Sequence, residues 1–94
     1  MFAVIGDWRM NPQQRADQTA GLARIAGGVA ELPGLVKGYW TSSEDGRRAH
    51  TFIVFEDGVA AEAFASDVRG NIENQRRAGM ENVSLVIEEV SAET

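Results

Sequence analysis

Hydrophobic and polar positions along the 94-residue chain fall into six blocks separated by turn signals. The opening MFAVIGDW alternates and is rich in β-forming residues, which predicts a strand. Asn11-Pro12-Gln13-Gln14 then supplies an N-cap, a proline suited to the first helical position and a glutamine at the capping-box position, so a helix is expected to start there. Leu22, Ile25, Ala26 and Val29 recur at helical spacing as far as Leu32, a run of about twenty residues that Pro33-Gly34 stops. Gly27-Gly28 weakens its last turns. Residues 35–41 read as a second strand, 42–46 as a polar turn with an Asp45-Gly46 signal, and 48–56 as a third strand, so these form a hairpin. Asp57 can cap a second helix in which Ala60, Phe64, Val68 and Ile72 recur every four residues. Arg76 and Arg77 occupy its last turn, where the helix dipole favours cations, and Gly79 ends it. Residues 83–90 predict a fourth strand before the polar tail SAET.

The order β-α-β-β-α-β predicts an α+β, ferredoxin-like fold: a four-stranded antiparallel sheet with two helices on one face, in a single domain over residues 1–94. No repeat, low-complexity stretch or linker interrupts it. By parity the third strand sets His50, Phe52 and Val54 against Thr51, Ile53 and Phe55. The first sets Phe2, Val4 and Trp8 against Ala3 and Ile5, and the fourth sets Val83, Leu85 and Ile87 against Val86 and Val90. Both faces are apolar, and parity does not say which one the helices cover. Each large apolar side chain left in water forfeits roughly 1.5–3 kcal/mol of burial, and a contiguous patch marks an interface or ligand cleft. An isologous homodimer is therefore expected.

Composition narrows the chemistry. Nine Lys and Arg against fourteen Asp and Glu give a formal net charge of −5, opposite to the footprint of a polyanion-binding domain, so no nucleic-acid partner is expected. The absence of cysteine excludes disulfides, thiolate metal sites, iron–sulfur clusters and thiol nucleophiles. One histidine, with Glu56-Asp57 and Glu88-Glu89 at no ligand spacing from it, argues against a metal site. No nucleophile-elbow pattern supports a Ser-His-acid triad. The N-terminal block lacks a basic segment before its apolar residues and no apolar run approaches a membrane span, so a soluble cytoplasmic protein without a membrane partner is expected.

Three stretches carry a resemblance: the strand-to-helix junction WRMNPQQ, the helix exit LPGLVKGYW, and FIVFEDGVAAEAF from the third strand into the second helix. Through them the whole chain resembles the dimeric α/β-barrel superfamily, and is similar to its small antibiotic-biosynthesis-monooxygenase-like proteins. These are patterns of fold, not catalytic signatures. The resemblance implies two protomers packing their open sheet faces into a barrel, with a small-molecule cleft between sheet and helices. Among the activities it implies are cofactor-free oxygenation of aromatic or quinone-type substrates and haem degradation. The haem-degrading branch uses an asparagine on the first strand with a tryptophan and a histidine on or near the second helix. Here the first strand ends Gly6-Asp7-Trp8 and residues 58–78 hold neither Trp nor His, so haem degradation is not expected. A cofactor-free oxygenase works on a phenolic substrate that itself activates dioxygen, and needs orientation and deprotonation more than a dedicated reagent. Its candidate parts are His50 as catalytic base for a phenolic proton, with Trp8, Tyr39, Trp40 and Phe52 binding a small aromatic ligand.

Plainer readings stand beside these. A lone histidine in a strand is more often packed or hydrogen-bonded than a base, and tryptophans serve commonly as core or interface anchors. Neighbours in a strand point opposite ways, so Tyr39 and Trp40 cannot both face a cleft. RRAHTFIVFED, residues 47–57, is thus read chiefly as wall, with His50 contributing at most a polar point. Arg47-Arg48 and Arg76-Arg77 read as solvated pairs. Two rival functions remain: a non-catalytic dimeric ligand-binding or structural protein, and an RNA-recognition-like module, which shares this strand order. The RNA-binding third-strand motif matches at Arg48, Phe52 and Phe55, nearly at Ile53, and fails at both glycine-type positions and at His50, where Phe or Tyr is wanted.

Overall fold

In the computed structural model, which describes residues 1–94, the elements run β1 (Phe2–Met10), a 3-10 turn (Pro12–Gln14), α1 (Arg15–Ala30), β2 (Leu35–Ser42), β3 (Arg48–Phe55), α2 (Gly58–Arg69), α3 (Ile72–Arg77) and β4 (Met80–Glu89). The sheet is antiparallel throughout in the order β2-β3-β1-β4, the ferredoxin-like α+β arrangement. Both cap residues act as read, but Asn11 opens a 3-10 turn and the α-helix begins only at Arg15, and Gln14 accepts from the Asn11 side-chain amide rather than from its backbone N–H as a capping box would. Asn11 accepts from the Gln13 amide at 3.0 Å and Asp57 from the Ala60 amide at 2.8 Å, each satisfying a donor at a helix start. Gly34 and Gly79 take φ of +80° and +74°, turning the chain where a side chain would strain it.

Two elements depart from the expected pattern. The second helix is not continuous: it stops at Gly70, whose amide donates to the Ser66 carbonyl at 2.9 Å, and restarts after Asn71. The break rotates the following turn, so Ile72, expected inside, is 45 % exposed, while Gln75 is buried in its stead. Arg76 and Arg77 end the short α3. On β4, a register shift opposite Asp7 and Trp8 pairs Asp7 with Ser84 and Trp8 with Asn82, passing over Val83. That irregularity removes Val83 from the row of Leu85 and Ile87 and leaves it exposed.

Val4, Ile53 and Phe55 form the densest part of the core, packed with Val29 of α1 and with Ala61 and Ala65 of α2. The two alanines leave no exposed surface, so α2 lies directly on the sheet. By contrast α1 buries only Val29, and Leu22 and Ile25 stand over a gap. Pairing of Val4 with Ile53 and of Phe2 with Phe55 puts these residues on one face, the face the helices cover. Ile5, Phe52 and Tyr39 form a row across β1, β3 and β2 on the other, which no part of the chain covers. No helix is long and apolar enough to cross a membrane.

Candidate functional site

A glycine two residues ahead of each tryptophan shapes the covered face. In Gly6-Asp7-Trp8 and Gly38-Tyr39-Trp40 the glycine and tryptophan share a side of their strand, and the indole lies back over the missing side chain. A Cβ on Gly6 would stand 2.6 Å from Trp8 Nε1 and 2.5 Å from Thr51 Oγ1, and one on Gly38 would stand 3.0 Å from Trp40 Cζ3. The room at Gly6 lets Trp8 Nε1 donate to Thr51 Oγ1 at 3.1 Å, giving the buried indole its one hydrogen-bond partner.

Between this floor and the helices lies a cavity of about 340 Å³, within the range of small-molecule sites. Trp8, Trp40 and Thr51 line it from the sheet, Leu22 and Ile25 from α1, and Phe64 from α2. At one end Arg15 Nη1 donates to the Glu44 carbonyl at 3.0 Å, strapping the β2–β3 turn to α1. Gln75 lines the cavity from α3, where Nε2 donates to the Val68 carbonyl at 2.7 Å. The far end of α3 is held by Gln14 Nε2 to the Arg77 carbonyl and Gln18 Nε2 to the Ala78 carbonyl, both 2.9 Å, which satisfies acceptors left open at a helix end. Arg15 and Asp67 are the only charged residues in the lining.

The open face has a different chemistry. Arg48 Nη2 donates to both Asp7 carboxylate oxygens, at 2.9 and 3.0 Å, and His50 Nε2 lies 3.5 Å from Asp7 Oδ1. The hydrogen bond from Arg48 holds the Asp7 carboxyl below its ordinary range, with partial burial opposing and the charges of Arg48 and His50 assisting. Around this cluster stand Tyr39, Phe52 and Val86, all exposed. Lys37 Nζ lies 5.8 Å from the Tyr39 ring centroid, and the His50 and Phe52 rings stack at 6.5 Å.

Of the residues singled out from sequence, the structure therefore brings Trp8 and Trp40 together round the cavity and places His50, Tyr39 and Phe52 on the opposite side of the sheet. Trp8 and His50 share no cleft within the chain. Thr51 and Gln75 were passed over. The repeated Gly-x-Trp is the local signal nearest to the first, since each glycine leaves room on its own side of the strand for the indole two residues on. Nothing in the local pattern flags Gln75, which sits in a polar run and turns inward only because the helix breaks.

No protein-family model matches the chain, and no curated protein matches it either. Solved structures do. A candidate antibiotic biosynthesis monooxygenase from Deinococcus radiodurans superposes with a TM-score of 0.80 at 11 % identity, over 100 % of this chain and 96 % of that one. The chain has the fold of the antibiotic-biosynthesis-monooxygenase-like proteins. SnoaB, a cofactor-independent oxygenase from Streptomyces nogalater, matches it with a TM-score of 0.71 at 17 % identity, covering 98 % of this chain and 94 % of that. MhuD, the heme-degrader of Mycobacterium tuberculosis solved with two hemes in its active site, matches with 0.75 at 15 %, covering 100 % and 99 %. At these identities the likeness is one of fold, and the same fold serves different reactions.

Proposed function

We propose that this protein binds a planar aromatic, quinone-type small molecule in the cavity between sheet and helices, works as a homodimer closed through the open sheet face, and is a cofactor-independent monooxygenase. The observation that carries the reading is the cavity itself, with two indoles in its floor, each lying against a glycine where an added Cβ would crowd it. Flat aromatic walls suit a flat aromatic ligand. In such a reaction the substrate supplies the electrons: one atom of dioxygen enters the ring and the other leaves as water, so the protein need only bind, orient and exclude bulk water. Trp8 and Trp40 would orient the ring, and Asp67, the only carboxylate in the lining, is the group within the site to which a phenolic proton can pass.

The fold also hosts heme degradation in MhuD, but the donors here do not suit a haem iron. No His, Cys or Tyr lines the cavity, and the methionines that do, Met10 and Met80, are of a type that serves beside a histidine. A second reading, a non-catalytic ligand carrier, is favoured by the position of His50, which leaves the cavity without an imidazole base.

A thermal-shift and tryptophan-fluorescence screen with hydroxynaphthoquinones, hydroxyanthrones, haem and small acids tests the proposal, because a ligand that binds only the native state raises its apparent stability. Stabilisation by the first two classes with quenching of the tryptophans, and oxygen uptake with one of them, is expected. Binding without oxygen uptake selects the carrier, and preference for haem or no binding at all overturns the assignment.

A further inference from the structure

Gln75 is the only polar side chain buried in the chain, 7 % exposed, and only half of its amide is used. Its Nε2 donates to the Val68 carbonyl, and because a carbonyl can only accept, that bond fixes which amide atom is which. Oε1 is the atom left over, and no donor in the protein reaches it. Yet no buried side-chain nitrogen or oxygen is without a partner, so Oε1 must keep open surface, and the open space that Gln75 lines is the cavity. The break between α2 and α3 produces this arrangement. It presents the Val68 carbonyl to Nε2 and turns residue 75 inward in place of Ile72.

An acceptor at the edge of a cavity whose wall is mostly but not wholly apolar is matched by an O–H donor and poorly matched by a bare ring or an anion. We infer that Gln75 Oε1 is a specificity-determining acceptor that takes the hydroxyl proton of an aromatic ligand, so the cavity selects the neutral, hydroxylated form over the unsubstituted, methylated or ionised one. Arg15 and Asp67, the only charged residues in the same lining, are of opposite sign, so the lining has no formal net charge with which to favour an anion. The inference rests on the reading of the cavity as a small-molecule site and adds to it the residue that chooses the ligand.

Coumarin, 7-methoxycoumarin and 7-hydroxycoumarin are planar probes that differ only at one position, and the hydroxyl of the last ionises in mildly alkaline solution. Calorimetric titration of the full chain should show 7-hydroxycoumarin binding roughly three- to tenfold more tightly than the other two below that ionisation, the increment of one hydrogen bond. The advantage should vanish as pH rises and the ligand becomes an anion. Gln75→Met, which keeps the length of the side chain without its acceptor, should equalise all three; should that variant fail to fold, the wild-type series and its pH dependence decide alone. Equal binding of the three probes by the wild type, or tighter binding of the anion, overturns the role of Gln75 while leaving the cavity a ligand site. Binding of none of them overturns both.

Discussion

The two faces of the sheet are built from the same kind of residue and have opposite fates. On the covered face Val4, Ile53 and Phe55 are each 1 % exposed; on the open face Tyr39 is 56 % and Phe52 38 % exposed. What separates them is what stands opposite, since Phe52 and Ile53 are neighbours of nearly equal hydrophobicity. The polar groups divide too. The covered face keeps a neutral pair, Trp8 and Thr51, while the open face carries the Asp7–Arg48 ion pair with His50 beside it. A charge beneath the helices would have to be desolvated, whereas at the open face water or a partner can solvate it. Period-two alternation, with Asp7 paired to His50 and Trp8 to Ala49, therefore puts His50 and the tryptophans on opposite faces, so the candidate base does not share their cavity.

The sharpest way to break the comparison is to place one charge on each face. Ile53→Asp buries a carboxylate in the densest part of the core and should cost about 4 kcal/mol or more, a large share of a small domain's stability, so the chain is expected to lose its cooperative unfolding transition. Phe52→Asp, one residue along, should keep its circular dichroism and thermal transition as a folded monomer while weakening the proposed dimer at least about tenfold. Sedimentation reads the second effect. A wild-type chain that sediments as a monomer at micromolar concentration removes the proposed partner from the open face.

Gly6→Val comes next, with an effect confined to the covered face. Its side chain would push on Trp8 Nε1 and Thr51 Oγ1, breaking their hydrogen bond and overpacking the floor, at an expected cost of about 1–3 kcal/mol. Tryptophan emission should move to the red as the indole N–H meets water, and affinity for the proposed ligand should fall while the proposed dimer is unaffected. Unchanged emission would show that the close approach at Gly6 is relieved elsewhere.

His50→Phe should do the converse. It removes a contact of Asp7 on the open face and leaves the cavity untouched, so ligand affinity is expected to stay within about twofold, with a change of about 1 kcal/mol or less in dimer or fold stability. Loss of turnover in a folded dimer would mean that His50 serves a cavity after all, which within this geometry only the partner's cavity could be.

These expectations mark how far the sequence could be read. The order of elements, the hairpin, the second helix start and the face sets of β1 and β3 follow from caps, turn residues and alternation, because those signals are local; the β4 set fails only at Val83, which the register shift removes. Which face the helices cover is not local, and parity within each strand does not relate one strand's sets to another's, so His50 and Trp8 stayed on the same candidate list until the pairing of Asp7 with His50 separated them. The helix break was legible only as Gly70-Asn71, a pair tolerated inside many helices, and the four-residue spacing that runs through it to Ile72 argued for continuity. Gln75 was hidden for the same reason: its burial is a consequence of the break, and the polar run around it resembles a solvated helix end.

The smallest expected effect is a pH dependence that belongs to the open face. Arg48 holds the Asp7 carboxyl below its ordinary pKa of 3.8, so the folded state binds the Asp7 proton less readily than the unfolded chain does. A depressed carboxylate contributes stability that is fully present above pH 3.8 and is lost as pH falls through the lower folded value. Asp45, held low by the Arg47 amide and the Ser43 hydroxyl at the tip of the β2–β3 turn, acts in the same direction. The two can be separated because only Asp7 lies on the face assigned to a partner. Urea midpoints of the wild type, Asp7→Asn and Asp45→Asn measured from pH 6 down to pH 2 should converge at the acid end, with each variant lower than the wild type above about pH 4. Protein concentration supplies the discriminating axis. If the open face is an interface, the Asp7→Asn deficit near neutral pH should depend on protein concentration, since the Asp7–Arg48 pair would then be shielded from water by the second copy, while the Asp45→Asn deficit should not. A concentration-independent deficit at both positions would leave Asp7 an ordinary surface ion pair and the open face without evidence of its cover.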